Sequence, residues 1–238
     1  MITLPIERTP PLRHSGFSLL ELAIVLIVFA LLAGGLLTSL GTYKEAAARQ
    51  AAQQQLENAR EALLAYAIAH GRLPCPADPS ASGGQAIGTE DRPDEVSNCT
   101  RDRGTLPWVP LGLPETDPWG RRLTYYAAPP FTRPVTGEAH AAFTLDSTGN
   151  ASIRDKQEAT YDQASGLAAV IVIHGMNGHG TFLPNGEPLG AAQGDEGENS
   201  DGDTIFVAHL PTDDFDDLLT WIPADVLKLK LSSVGKLP

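Results

Sequence analysis

Basic side chains are scarce in this chain of 238 residues, with 17 Lys and Arg against 29 Asp and Glu. The resulting formal charge of −12 repels phosphates, which excludes non-specific nucleic-acid binding through a basic face. Cysteine is reduced to Cys75 and Cys99, too few for the four ligands of a structural zinc site. There is no G-x-S-x-G elbow and no P-loop. The Gly-rich segment His174-Gly175-Met176-Asn177-Gly178-His179-Gly180 has no nearby glutamate or third ligand to complete a catalytic metal triad. These absences argue against an enzyme. A mean hydropathy of −0.11 excludes a multi-span membrane protein.

Long apolar runs are missing too, with one exception. Residues 17–40 (FSLLELAIVLIVFALLAGGLLTSL) hold 18 hydrophobic side chains in 24 positions. As a helix this run spans about 36 Å, enough to cross a bilayer core of roughly 30 Å. A cleaved secretory signal would have a shorter apolar core, and Thr38-Ser39-Leu40-Gly41 is a poor cleavage site. A plain signal anchor explains the length but not Glu21, the one ionisable group in the run. A carboxylate there costs about 2.5–3.5 kcal/mol on insertion scales and points to function.

Gly16-Phe17-Ser18-Leu19-Leu20-Glu21, followed at once by the apolar run, resembles the cleavage and methylation motif of type IV prepilins and type II secretion pseudopilins. The resemblance implies a leader of residues 1–16, cut between Gly16 and Phe17 by a prepilin peptidase that also methylates the new Phe17 amine. It assigns Glu21 to assembly with other pilin or pseudopilin subunits, where it would neutralise a neighbour's terminal amine. Arg8 and Arg13 before the run are balanced by Lys44 and Arg49 after it, so charge does not set the orientation. The resemblance does: residues 1–16 in the cytoplasm, 17–40 in the inner membrane and the rest in the periplasm. It leaves open whether the machine is a type IV pilus, a type II secretion pseudopilus or a DNA-uptake system. Further similarity to minor pilins and pseudopilins lies in Asp117-Pro118-Trp119-Gly120-Arg121-Arg122-Leu123-Thr124-Tyr125 and in Phe215-Asp216-Asp217-Leu218 leading to Trp221-Ile222-Pro223.

Residues 41–71 continue the helix. They are rich in Ala, Gln, Glu and Leu, and Leu56, Ala59, Leu63 and Tyr66 mark one apolar stripe. Gly71 and Pro74 predict the stop. Residues 72–238 form a globular domain with long loops, and strands are expected at Arg122–Ala127, His140–Leu145, Leu167–His174 and Thr204–His209. A short helix is expected from Asp213 through Trp221. The plan is α+β and pilin-like: a long N-terminal helix packed on an antiparallel sheet. An even cysteine count in an oxidising compartment favours a Cys75–Cys99 disulfide.

Residues 185–217 carry ten acidic groups and no Lys or Arg. Within them Asp195, Glu196, Glu198, Asp201 and Asp203 offer hard oxygens of the kind that suit calcium, although the spacing is not that of an EF-hand. No other cofactor is expected. The acidic loop also supports a different reading, an unprocessed membrane-anchored periplasmic binding module that works through residues 185–217.

Overall fold

The computed structural model describes residues 17–84, 86–137 and 139–237, with the backbone alone for 33–40. The leader 1–16, Gly16 included, lies outside the described residues. The chain divides between Lys44 and Glu45 into two compact units, and helix α1 (Leu19–His70) runs through both. It stops at Gly71, whose N–H donates to the Ala67 carbonyl at 2.8 Å and whose φ is +72°. A side chain at Gly71 would place Cβ 2.3 Å from the His140 carbonyl oxygen, so both the turn and the packing require glycine there.

In the second unit β1 (Arg103–Thr105) and α2 (Trp108–Leu111) precede β2 (Thr124–Ala127). Then come β3 (Ala151–Arg154), β4 (Ala164–Ile173) and the small hairpin of β5 (Thr181–Phe182) with β6 (Pro188–Leu189). The chain continues through α3 (Gly194–Glu198), β7 (Ile205–Val207), β8 (Leu218–Pro223) and α4 (Ala224–Ser233). The main sheet runs β1-β2-β4-β3-β7, with β8 on the opposite edge of β4. All pairings in it are antiparallel except β3 with β7. Leu167–Ile173 of β4 is buried at every residue, which explains its unbroken apolar run.

The α1 stripe of Ala52, Leu56, Ala59, Leu63 and Ala67 shares one core with Tyr125 of β2, Val170 of β4 and Phe206 of β7. Leu227 and Leu231 of α4 join the same core. The architecture is therefore α+β and consistent with a pilin-like fold, and the helical stripe is where its period placed it.

Several local expectations are corrected. His140–Leu145 is not a strand but bends and turns. Its Ala142 N–H donates to the Gly71 carbonyl, and Phe143 packs edge-on against Phe131, so the segment caps the end of α1 rather than joining a ladder. Asp213–Trp221 is not a helix. Its last residues form β8, which pairs with the central strand along Ile171↔Thr220 and Val170↔Trp221. Sheet pairing there prevails over the local N-cap signal, and the helix begins only after Pro223. The β2 strand starts at Thr124 rather than Arg122, because Arg122 N–H bonds to the Phe182 carbonyl.

Two buried polar centres hold the loops. The Arg122 side chain is fully buried and donates to Glu115 Oε1 and to the carbonyls of Pro79, Ala81 and Pro184, all within 3.1 Å. Glu90 accepts from the Arg72 guanidinium at 2.8 Å, from Tyr66 Oη and from the Cys75 N–H, and pairs with Arg92 at 3.1 Å. Beside it Cys75 and Cys99 form a disulfide across 24 residues of sequence. The loop it closes has little regular structure of its own. Replacing both cysteines by serine is expected to lower stability by about 3–4 kcal/mol on the loop-entropy model, read as a shift in denaturant midpoint. An unchanged midpoint would mean that the Glu90 centre alone fixes this loop.

Candidate functional site

The N-terminal unit begins with a reciprocal cap. Ser18 Oγ accepts from the Glu21 N–H at 3.2 Å, and Glu21 Oε2 accepts from the Ser18 N–H at 2.9 Å. This is a capping box, and its S-x-x-E signature is legible in the sequence once Glu21 is read as more than a lone charge. The carboxylate is thereby fixed one helical turn from Phe17. Every described side chain from Phe17 to Leu32 is exposed, Phe17 at 86% and Leu19 at 87%. A helix that is apolar all round, unlike the one-sided stripe of residues 52–67, needs lipid or other helices about it. Among the described residues no helix is long and apolar enough to cross a membrane. Residues 33–40, which complete the apolar run in the sequence, have side chains outside the described set.

The acidic segment of the second unit does not gather into one constellation. Asp195 accepts from the Gln157 N–H and lies 3.2 Å from His209 Nε2. Glu198, Asp201 and Asp203 come together, with an oxygen of each within 4.8 Å of the others. Burial pushes the Glu198 carboxyl up, and the charges of Asp203 and Asp201 add to the shift. Arg103 stands beside this group, donating to the Asp203 carbonyl at 2.8 Å. Glu196 belongs elsewhere, to a group with Asp216 and Asp217, which the sequence does not place near it. Asp213 and Asp214 line an open cavity together with Asn177, His179, His209 and Phe215.

The Gly-rich loop after β4 wraps the Glu196 group. The Met176 and Asn177 N–H groups donate to Asp216 Oδ2, and Asn177 Nδ2 donates to both oxygens of Glu196. Gly175 has a φ of +49°, and a Cβ there would fall 2.0 Å from Asp216 Oδ1. His174 Nε2 lies 2.9 Å from Thr124 Oγ1, and its Nδ1 lies 3.5 Å from Asp217 Oδ2. Hydroxyl, imidazole and carboxylate in that order resemble a nucleophilic triad, but all three are buried and Thr124 of β2 is paired with Val172 of β4. This arrangement ties β2 to the segments that follow β4 and precede β8.

The Asp117-Pro118-Trp119-Gly120 motif forms a turn. Asp117 Oδ1 accepts from the N–H groups of Trp119 and Arg121 at 2.8 and 2.9 Å. Trp119 Nε1 donates to Glu45 on α1. The motif therefore fastens the entry of β2 to the helix.

Comparison with known families matches residues 12–37 to the prokaryotic N-terminal methylation motif. The match covers Phe17, Ser18 and Glu21 and supports the type IV prepilin and pseudopilin family, whose members are structural pilin-type subunits. No curated protein and no solved structure matches the chain.

Proposed function

We propose that this chain, carrying the prepilin methylation motif, is a structural subunit of a type IV pilus or a type II secretion pseudopilus. The motif match at residues 12–37 is the observation that carries the reading. A prepilin peptidase removes residues 1–16 and methylates Phe17. Residues 17–40 hold the chain in the inner membrane with its body in the periplasm until assembly, when the exposed apolar helix packs among other subunits. The bulk of the body suits a minor subunit.

Cleavage would place an ammonium on Phe17 next to the Ser18–Glu21 cap. In the free chain Glu21 is engaged with its own backbone. In a fibre a neighbour's terminal amine competes for the same carboxylate, so that two buried charges become one pair. The supporting features are the Glu21 position and the apolar surface around it.

N-terminal mass spectrometry of the membrane form is the decisive measurement. A first residue of methylated Phe17 is the expected result, and an intact Met1 would overturn the reading in favour of an unprocessed anchored binding module. Glu21→Ala is expected to be cleaved yet to enter fibres at least tenfold less, an effect of about 1.4 kcal/mol or more on assembly. Undiminished incorporation would remove Glu21 from the assembly step.

A further inference from the structure

We propose that the Cys75–Cys99 disulfide is an exchange site with a fixed direction: a small thiol attacks Cys99, and Cys75 leaves as a thiolate held by Arg92. The inference is independent of pilus assembly.

The two sulfurs stand in unlike surroundings. Cys75 is fully buried, whereas Cys99 is half-buried and lines a surface cavity of about 410 Å³ with Asn98, Thr100, Thr132 and Arg133. Cys75 does not line it. A thiol small enough for this cavity therefore meets Cys99 first, with Cys75 behind it.

The Arg92 guanidinium is set on the other sulfur. Its side chain is 5% exposed, and its Nε and Nη2 donate to Cys75 Sγ at 3.2 and 2.9 Å. Cys99 Sγ is farther from Nη2, at 3.8 Å. The Thr132 carbonyl at 2.8 Å and Glu90 at 3.1 Å hold the guanidinium in place independently of either sulfur. Its Nη1 is buried with no hydrogen-bond partner. A disulfide sulfur is a neutral, weak acceptor, so this buried cation is poorly satisfied, and a thiolate at Cys75 would complete it. Glu90 opposes such a thiolate, but Arg72, 2.8 Å from Glu90, already matches that charge and leaves Arg92 in surplus. Burial, then the Arg72 charge, press the Arg92 pKa down against Glu90, as expected of a cation short of counter-charge. A neighbouring guanidinium lowers a thiol pKa, and a thiol of lower pKa leaves faster.

The first step trades one disulfide for another. The incoming thiol gives its proton to solvent and its sulfur bonds to Cys99 Sγ. The Cys75–Cys99 bond breaks, and its electron pair stays on Cys75. A second thiol then attacks the sulfur of the first, releasing Cys99 as a thiolate and the small thiol as its own disulfide. In sum two thiols are oxidised and one disulfide is reduced. The bond from the Cys75 N–H to Glu90 involves neither sulfur, so the Cys99 end of the loop is the one set free.

The test exposes the full chain in detergent to reduced glutathione, quenches with acid, and locates the mixed disulfide by peptic digestion and mass spectrometry. The adduct is expected on Cys99 at least about tenfold over Cys75. Equal labelling, or an excess on Cys75, would overturn the proposal. Arg92→Gln is expected to slow reduction at least about tenfold and to move the equilibrium with glutathione about tenfold toward the disulfide, some 30 mV. A residue that only packs the loop would act in the opposite sense, because a loosened loop exposes the bond and speeds its reduction. A rate in Arg92→Gln equal to or above that of the wild type therefore also overturns the proposal. If this variant does not fold, the position of the adduct in the wild type still decides the question.

Discussion

Arg122→Ala is expected to lower the stability of the body by about 3–5 kcal/mol, because three carbonyls lose their donor at roughly 1–3 kcal/mol each. The guanidinium is completely enclosed and satisfies four acceptors that belong to three different loops. Truncation strands three carbonyls and leaves Glu115, which is one-third exposed, to be hydrated. The loss through Glu115 is therefore small, and most of the effect comes from the carbonyls of Pro79, Ala81 and Pro184. Arg122→Lys should recover only part, because an ammonium has three donors and lacks the planar fork. Urea unfolding of the detergent-solubilised chain measures both variants. A loss below about 1 kcal/mol, the size of a surface pair, would show that these loops are held by other contacts.

Glu90→Ala belongs in the same range, about 3–5 kcal/mol, because it leaves Arg72 and Arg92 buried together with only the exposed Glu95, 3.9 Å from Arg72, as counter-charge. The carboxylate also gives this centre a pH signature. Burial alone would raise its pKa, but the hydrogen bonds from Arg72 and Tyr66 outweigh burial and hold it below the ordinary glutamate value. A depressed pKa in the folded state means that the stabilisation is complete above the unfolded value of about 4.3 and is lost as pH falls through the folded one. Asp117 and Glu196 act with the opposite sign, since burial raises both. The clean observable is therefore the difference between wild type and Glu90→Gln. That difference should be constant at neutral pH and shrink below about pH 4. If it stays constant down through the acid range, Glu90 does not carry the charge assigned to it.

Local signals in the sequence were sufficient where one residue's neighbours in sequence decide its environment. The α1 stripe follows from the helical period, the stop at Gly71 from glycine and proline, and the buried β4 from an unbroken apolar run. The cysteine pair followed from their number. Signals failed where a distant partner decides. Asp213–Trp221 opens on acids placed like an N-cap, yet the open edge of β4 draws its last residues into the sheet. The reverse holds at His140–Leu145, whose short apolar run suggests a strand while its hydrogen bond goes to Gly71. Arg122 shows no pattern that distinguishes it from Arg121, although one is buried and the other ties a surface loop.

The candidate site divides in the same way. The Phe17–Glu21 motif is contiguous and was readable residue by residue. The acidic segment looked like one loop because its charges are contiguous. Its side chains answer to partners elsewhere: Asp195 to His209, Glu196 to Asp216, and Asp203 to the neighbourhood of Arg103. Linear charge density identified the region but not the grouping.

The placement of β8 sets an order of events during synthesis. Its partner β4 ends at Ile173, but the edge that β8 fills stays unpaired until residue 223 has left the ribosome. For some 50 residues of elongation, a few seconds at ordinary translation rates, the most apolar strand in the body has a bare ladder of N–H and C=O groups. Such an edge is a template for pairing with another nascent chain. A fold closed by early strands would not leave such an edge open for that interval.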